Sequence, residues 1–94
     1  MAKQRGCYLL HFQGGKVADH AGHYLGWSTD IPARLREHEA GTGGRLPAVA
    51  LARGLVLVLA RTWLGASRTD ERKLKNCKNA PRFCPLCRAA GRRA

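Results

Sequence analysis

The chain has 94 residues, which suits one domain near the lower end of the sizes that a hydrophobic core alone can stabilise. Lys and Arg total 17 against 6 acidic residues, so the formal net charge is +11. An excess this large is more than solubility requires and predicts a polyanionic partner, with nucleic acid favoured.

The longest apolar tract, residues 48–60, is interrupted by Arg53 and Gly54 and is too short to span a bilayer. The first five residues lead directly into a strand-like segment, which is not the pattern of a signal peptide. We therefore expect no membrane partner and a cytoplasmic location. In that compartment the four cysteines are interpreted as thiols or metal ligands rather than as a disulfide framework.

Two strands are predicted near the start of the chain. Residues 7–12 are rich in aromatic and aliphatic side chains and are followed by the turn signal Gln13-Gly14-Gly15. Residues 23–27 form the second strand, and the two are expected to pair as an antiparallel hairpin. Tyr8 and Tyr24 can then lie close together across the ladder, in a register that the sequence leaves open.

A helix is predicted from residue 31 to residue 40. Residues 28–30 offer good N-cap side chains, and Gly41 is placed to end the helix. Ile31 and Leu35 are expected to form its buried stripe, which leaves the next face for polar side chains.

The second half of the chain contains a short helical turn at residues 47–53 and a continuous apolar run at residues 55–60, extended to residue 63. The run predicts a central strand that is covered on both faces and forms the heart of the core. Ser67 and Asp70 have capping-box spacing ahead of a helix to about residue 78. This order predicts an α/β (α+β) fold, with a small three-stranded antiparallel sheet and flanking helices.

Two triplets lie on the predicted hairpin. Gly6-Cys7-Tyr8 and Tyr24-Leu25-Gly26 resemble the paired triplets of the GIY-YIG nuclease family, with Cys7 at the middle, apolar position of the first. The resemblance extends to residue 71. It implies a nuclease domain over residues 1–80, followed by a cysteine-containing knuckle and a basic tail over residues 81–94.

The resemblance also implies a metal-dependent endonuclease that hydrolyses DNA phosphodiester bonds. By motif position, Tyr24 is the general base, Arg34 stabilises the transition state and Glu71 holds one Mg²⁺ or Mn²⁺ ion. Tyr8 and His38 assist. Arg34 lies ten positions after Tyr24 and His38 four positions further, as the family pattern expects.

Contacts to the nucleic acid are expected from Arg36, Lys75 and Arg82. Each residue of the predicted site also has a plainer interpretation. The tyrosines can be packed aromatic residues, the polar face of the first helix can be solvated, and Glu71 can pair with Lys75 across one helical turn.

A separate prediction concerns zinc. Cys84-Pro85-Leu86-Cys87 has the spacing of half a zinc site. Cys77 is a candidate third ligand, with Cys7 or a histidine as the fourth. Reduced structural cysteines or a redox-active pair would explain the same residues.

The alternative function is a non-catalytic, basic nucleic-acid-binding module in which the cysteine knuckle helps to grip DNA or RNA. Charge and cysteines fit both functions, and only the triplets, Arg34 and Glu71 favour the enzyme. Since no second DNA-reading domain is recognised, specificity is expected from substrate shape or from a protein partner. A monomer is the expected oligomeric state.

Overall fold

A computed structural model describes residues 4–14, 22–77 and 83–89, without the side chains at positions 77, 88 and 89. Within these ranges the chain forms a three-stranded antiparallel sheet and four helices, which confirms the predicted fold class. The elements are β1 (Gly6–Gln13), β2 (His23–Ser28), α1 (Ile31–Glu39), α2 (Arg45–Ala52), β3 (Val56–Leu64), α3 (Arg68–Cys77) and α4 (Pro85–Ala89). No helix in the described ranges is both long and apolar enough to cross a membrane.

The strand order is β2-β1-β3, so the central strand is β1. The prediction that the apolar run of β3 occupies the centre was wrong. β3 is an edge strand, and Val56 and Leu64 are 58% and 62% exposed. The true centre, β1, is almost completely buried because it has a paired strand on each side and helices on both faces.

One face of the sheet carries the main apolar core. Tyr8, Leu10 and Phe12 alternate along β1 and pack with Ile31 of α1 and Ala50 of α2. This face is therefore covered by α1 and α2.

The buried stripe of α1 differs from the predicted one. The fully buried residues are Ile31 and His38, whereas Leu35 is only partly buried against the core. His38 was expected beside the stripe, on a polar face. It turns inward because a buried hydroxyl group on β1 provides its hydrogen-bond partner.

The other face is covered by the start of α3 and by residues 83–89. The Trp27 indole N–H donates to the Ala66 carbonyl oxygen at 2.8 Å, and the thiol of Cys7 lies 3.9 Å from the Ser67 carbonyl oxygen. The Phe83 ring packs edge-on to a β3 tryptophan, with 5.9 Å between ring centroids. The helices therefore form a layer on each side of the sheet.

Two predicted helix starts are confirmed by their caps. The Ala33 N–H donates to Asp30 Oδ1 at 3.3 Å at the start of α1. At the start of α3, the Ser67 N–H donates to Asp70 Oδ2 at 2.9 Å, and the Asp70 N–H donates to Ser67 Oγ at 3.1 Å. Gly41 follows α1 with a φ of +84°, a conformation that favours glycine.

Candidate functional site

A buried polar pair lies where the middle of β1 meets α1. The Tyr8 hydroxyl oxygen and His38 Nε2 are 2.7 Å apart, and each residue is only 1% exposed. His38 Nδ1 is also buried and has no hydrogen-bond partner among the described residues. A buried nitrogen without a hydrogen-bond partner lowers the stability of the folded protein. Its presence beside the two triplets therefore makes the Tyr8–His38 pair a candidate for a functional role.

Tyr24 joins this pair from β2. Its ring centroid lies 6.2 Å from that of Tyr8 and 5.4 Å from that of His38. The register explains the contact, because Tyr24 faces Leu10 across the ladder and so lies on the same face of the sheet as Tyr8. The predicted proximity of the two tyrosines is confirmed.

Burial sets the protonation of the pair. Burial, followed by the neighbouring Tyr24, raises the pKa of Tyr8, and burial, followed by the Arg34 charge, lowers the pKa of His38. Both side chains are therefore neutral near pH 7. In the tautomer that carries its proton on Nδ1, His38 Nε2 accepts the hydrogen bond from the Tyr8 hydroxyl.

Two charged side chains on different helices influence the pKa of Tyr8. Arg34 lowers the pKa of Tyr8 and Glu71 raises it, although burial and Tyr24 both outweigh Arg34. Arg34 Nε lies 3.2 Å from Glu37 Oε1 on the half-exposed side of α1. The two residues that were predicted to complete the site from α1 and α3 are thus within electrostatic range of Tyr8.

Glu71 forms the ion pair with Lys75 that its plainer interpretation predicted. Its carboxylate lies 3.3 Å from Lys75 Nζ, and its side chain is 16% exposed. Of the residues that were predicted to contact nucleic acid, Lys75 is held in this ion pair, Arg36 is exposed, and Arg82 lies outside the described residues.

Glycines make room for the cluster. A Cβ atom on Gly26 would lie 2.5 Å from the Tyr8 hydroxyl oxygen, and one on Gly43 would lie 2.6 Å from His38 Nδ1. Such distances are far inside van der Waals contact, so the third position of the second triplet accepts only glycine while Tyr8 keeps this place.

A second constellation lies on the opposite face of the sheet. His11, His23, Cys84 and Cys87 each offer one ligand atom, and these atoms lie within 4.8 Å of one another. This cluster could hold a metal ion. It contains both cysteines of the predicted knuckle and includes histidine, one of the two predicted kinds of fourth ligand.

The rest of the predicted zinc ligand set differs. Cys7 is not in the cluster, because it lies at the other end of β1 against the Ser67 carbonyl oxygen. The side chain of Cys77 lies outside the described residues. Sequence reasoning did not identify the two histidines, although His11 and His23 sit on neighbouring strands of a recognised hairpin. His11 faces His23 in the β1–β2 register, and the sequence left that register open.

Comparisons with protein-family models, with curated proteins and with solved structures found no match to this chain.

Proposed function

We propose that the protein is a metal-dependent endonuclease that hydrolyses DNA phosphodiester bonds, as its GIY-YIG-like triplets suggest. The observation that carries the proposal is the convergence of Tyr8, Tyr24 and His38, whose ring centroids lie 5.4–6.2 Å from one another. Phosphodiester hydrolysis needs an activated water, a cation for the phosphate charge and a carboxylate that can hold a divalent ion.

In this proposal the two tyrosines have different roles. Tyr8 remains protonated because burial raises its pKa, so it serves as a hydrogen-bond donor held by His38. Tyr24, which is only partly buried, would first lose its own hydroxyl proton to solvent and then, as the phenolate, take the proton from the attacking water as general base.

Arg34 and Glu71 then act on the phosphate and its ion. The Arg34 guanidinium leaves Glu37 to bind the phosphate oxygens. The exchange costs little free energy, because exposed ion pairs contribute little to stability. Glu71 would hold Mg²⁺ or Mn²⁺, which when bound supplies charge stabilisation at the phosphate. Lys75, the present partner of Glu71, would then be released toward the DNA.

The basic surface supports DNA as the substrate. A net charge of +11 favours contacts to phosphates that position a duplex without reading its sequence. Arg36, Lys75 and Arg82 are the residues proposed for such contacts.

A plasmid-nicking assay with Mg²⁺ or Mn²⁺ tests the proposal. We expect Glu71→Ala and Arg34→Ala to lower the cleavage rate by about 100-fold or more, since each removes a group that stabilises transition-state charge. Glu39→Ala and Arg53→Ala are matched controls, because they remove an exposed acid and an exposed base elsewhere on the surface, and they should cleave at nearly the wild-type rate.

Binding separates this function from the alternative. Glu71→Ala should still bind DNA in a gel-shift experiment while it no longer cleaves. A wild-type protein that binds DNA tightly and never cleaves it would instead establish the non-catalytic nucleic-acid-binding module. The His–Cys cluster fits either function, and we propose zinc as its ion, since two imidazoles and two thiolates suit zinc.

A further inference from the structure

We propose that His11, His23, Cys84 and Cys87 form a closed, structural zinc site that fastens residues 83–89 to the β1–β2 hairpin. This inference deepens the zinc proposal above and is independent of DNA cleavage. The inference is based on the convergence of four ligand atoms from two strands and one short C-terminal segment.

Hydrogen bonding alone does not account for the contacts of His11. Its Nδ1 atom lies 3.2 Å from His23 Nε2, 3.5 Å from Cys84 Sγ and 3.8 Å from Cys87 Sγ. An imidazole nitrogen is either a single donor or a single acceptor, so it cannot satisfy three such neighbours at once. A cation at the centre of the four atoms would satisfy all of them.

Four of the six separations are also close to the edges of a zinc tetrahedron. Zinc bonds of usual length place two coordinating nitrogens about 3.3 Å apart, and a nitrogen and a sulfur about 3.6 Å apart. The observed nitrogen–nitrogen distance is 3.2 Å. Three of the four nitrogen–sulfur distances are 3.5 Å, 3.8 Å and, from Cys87 Sγ to His23 Nε2, 3.4 Å, and all four ligand atoms lie within 4.8 Å of one another.

The donor set indicates a structural ion rather than a catalytic one. Four protein ligands complete a tetrahedron and leave no position for water or substrate. Thiolates favour zinc over Mg²⁺, which takes oxygen ligands. His11 and Tyr8 are three positions apart on β1 and so point to opposite faces of the sheet, which places this ion on the face opposite the Tyr8–His38 pair.

The segment that carries the cysteines is also attached to the sheet at Phe83. The Phe83 ring packs on Trp63, and its carbonyl oxygen accepts an exposed, 3.4 Å hydrogen bond from Arg61 Nη1. Cys84 is completely buried. Since α4 has only five residues and cannot be stable alone, a zinc cross-link to β1 and β2 would help to hold it on the sheet.

Metal content and cobalt spectra test the site. Protein purified without chelator should contain one zinc per chain by mass spectrometry. Wild-type protein reconstituted with Co²⁺ should show the visible absorption of tetrahedral cobalt and thiolate-to-cobalt charge transfer. This second measurement needs no variant, and the absence of both signals would overturn the proposal.

Variants then identify the ligands. We expect Cys84→Ser, Cys87→Ser and His23→Asn to lose stoichiometric zinc, whereas Cys77→Ser, the matched control from the earlier ligand set, retains it. Loss of zinc in Cys77→Ser together with full retention in His23→Asn would overturn the proposed set. Zinc binding by a wild-type protein that never cuts DNA would refute the nuclease and leave this site standing, while cleavage by zinc-free, folded protein would refute the site alone.

Discussion

At the scale of single residues, Gly26 shows that a motif position can be restricted to glycine by packing rather than by a reactive side chain. It offers no functional group, yet it faces Tyr8 across the ladder and leaves the volume that the tyrosine hydroxyl occupies. The Tyr8–His38 hydrogen bond depends on that volume.

Gly26→Ala should therefore destabilise the protein by about 1–3 kcal/mol, because the new methyl group overpacks a buried ring. Urea unfolding measures the change. Gly44→Ala is the matched control, since its Cβ would lie 3.6 Å from its nearest neighbours and its φ of 168° is open to any residue. Equal stability losses in the two variants would contradict this account.

Residue-level prediction from sequence succeeded where spacing along the chain sufficed. Cys84, just before the last helix, and Cys87, within it, are recognisable from their spacing as candidate metal ligands, and the two tyrosines are recognisable as candidate site residues from their triplets. His11 and His23 were missed because their proximity depends on strand register, which the pattern of side chains did not determine.

At the scale of elements, the sequence predicted where two helices start, because helix caps are local. It did not predict the order of the strands in the sheet. The caps at Asp30 and Ser67 use side chains within three residues of the amides that they satisfy. The centre of the sheet, by contrast, is fixed by two long-range pairings of β1. An apolar run such as β3 is compatible with an edge as well as a centre, so composition alone placed it wrongly.

The capping box of α3 provides a test at this scale. Ser67→Ala removes the hydrogen bond that Ser67 Oγ accepts from the Asp70 N–H, and should lower the free energy of unfolding by about 1 kcal/mol. Ser67→Asn, which can accept the same bond, should remain close to wild type in thermal unfolding. If the asparagine variant loses as much stability as the alanine variant, the cap does not stabilise α3.

At the scale of the whole molecule, burial of His38 links folding to pH. Burial, with a smaller effect from Arg34, lowers the pKa of His38 in the folded protein below its ordinary value of 6.5. Between the folded and unfolded pKa values the unfolded chain binds more protons, so stability falls as the solution is acidified through that window. Above pH 6.5 the imidazole is largely neutral in both states, and this penalty disappears.

The comparison of wild type with His38→Gln should reveal this linkage. We expect the wild-type free energy of unfolding to fall more steeply below pH 6.5 than that of the variant, because glutamine does not titrate. Denaturant unfolding at a series of pH values measures the difference, and protonation of the other histidines cancels since both proteins contain them. Parallel pH profiles would show that His38 does not provide the linkage.

The central position of β1 also has a consequence for synthesis on the ribosome. Its first neighbour, β2, follows closely, but its second neighbour begins only at Val56. Until that strand has emerged, one side of an almost fully apolar strand keeps its backbone amides and carbonyls unpaired. A nascent chain that pauses before this point would therefore expose an unpaired strand edge on which other chains can aggregate. This exposure ends when β3 pairs with β1.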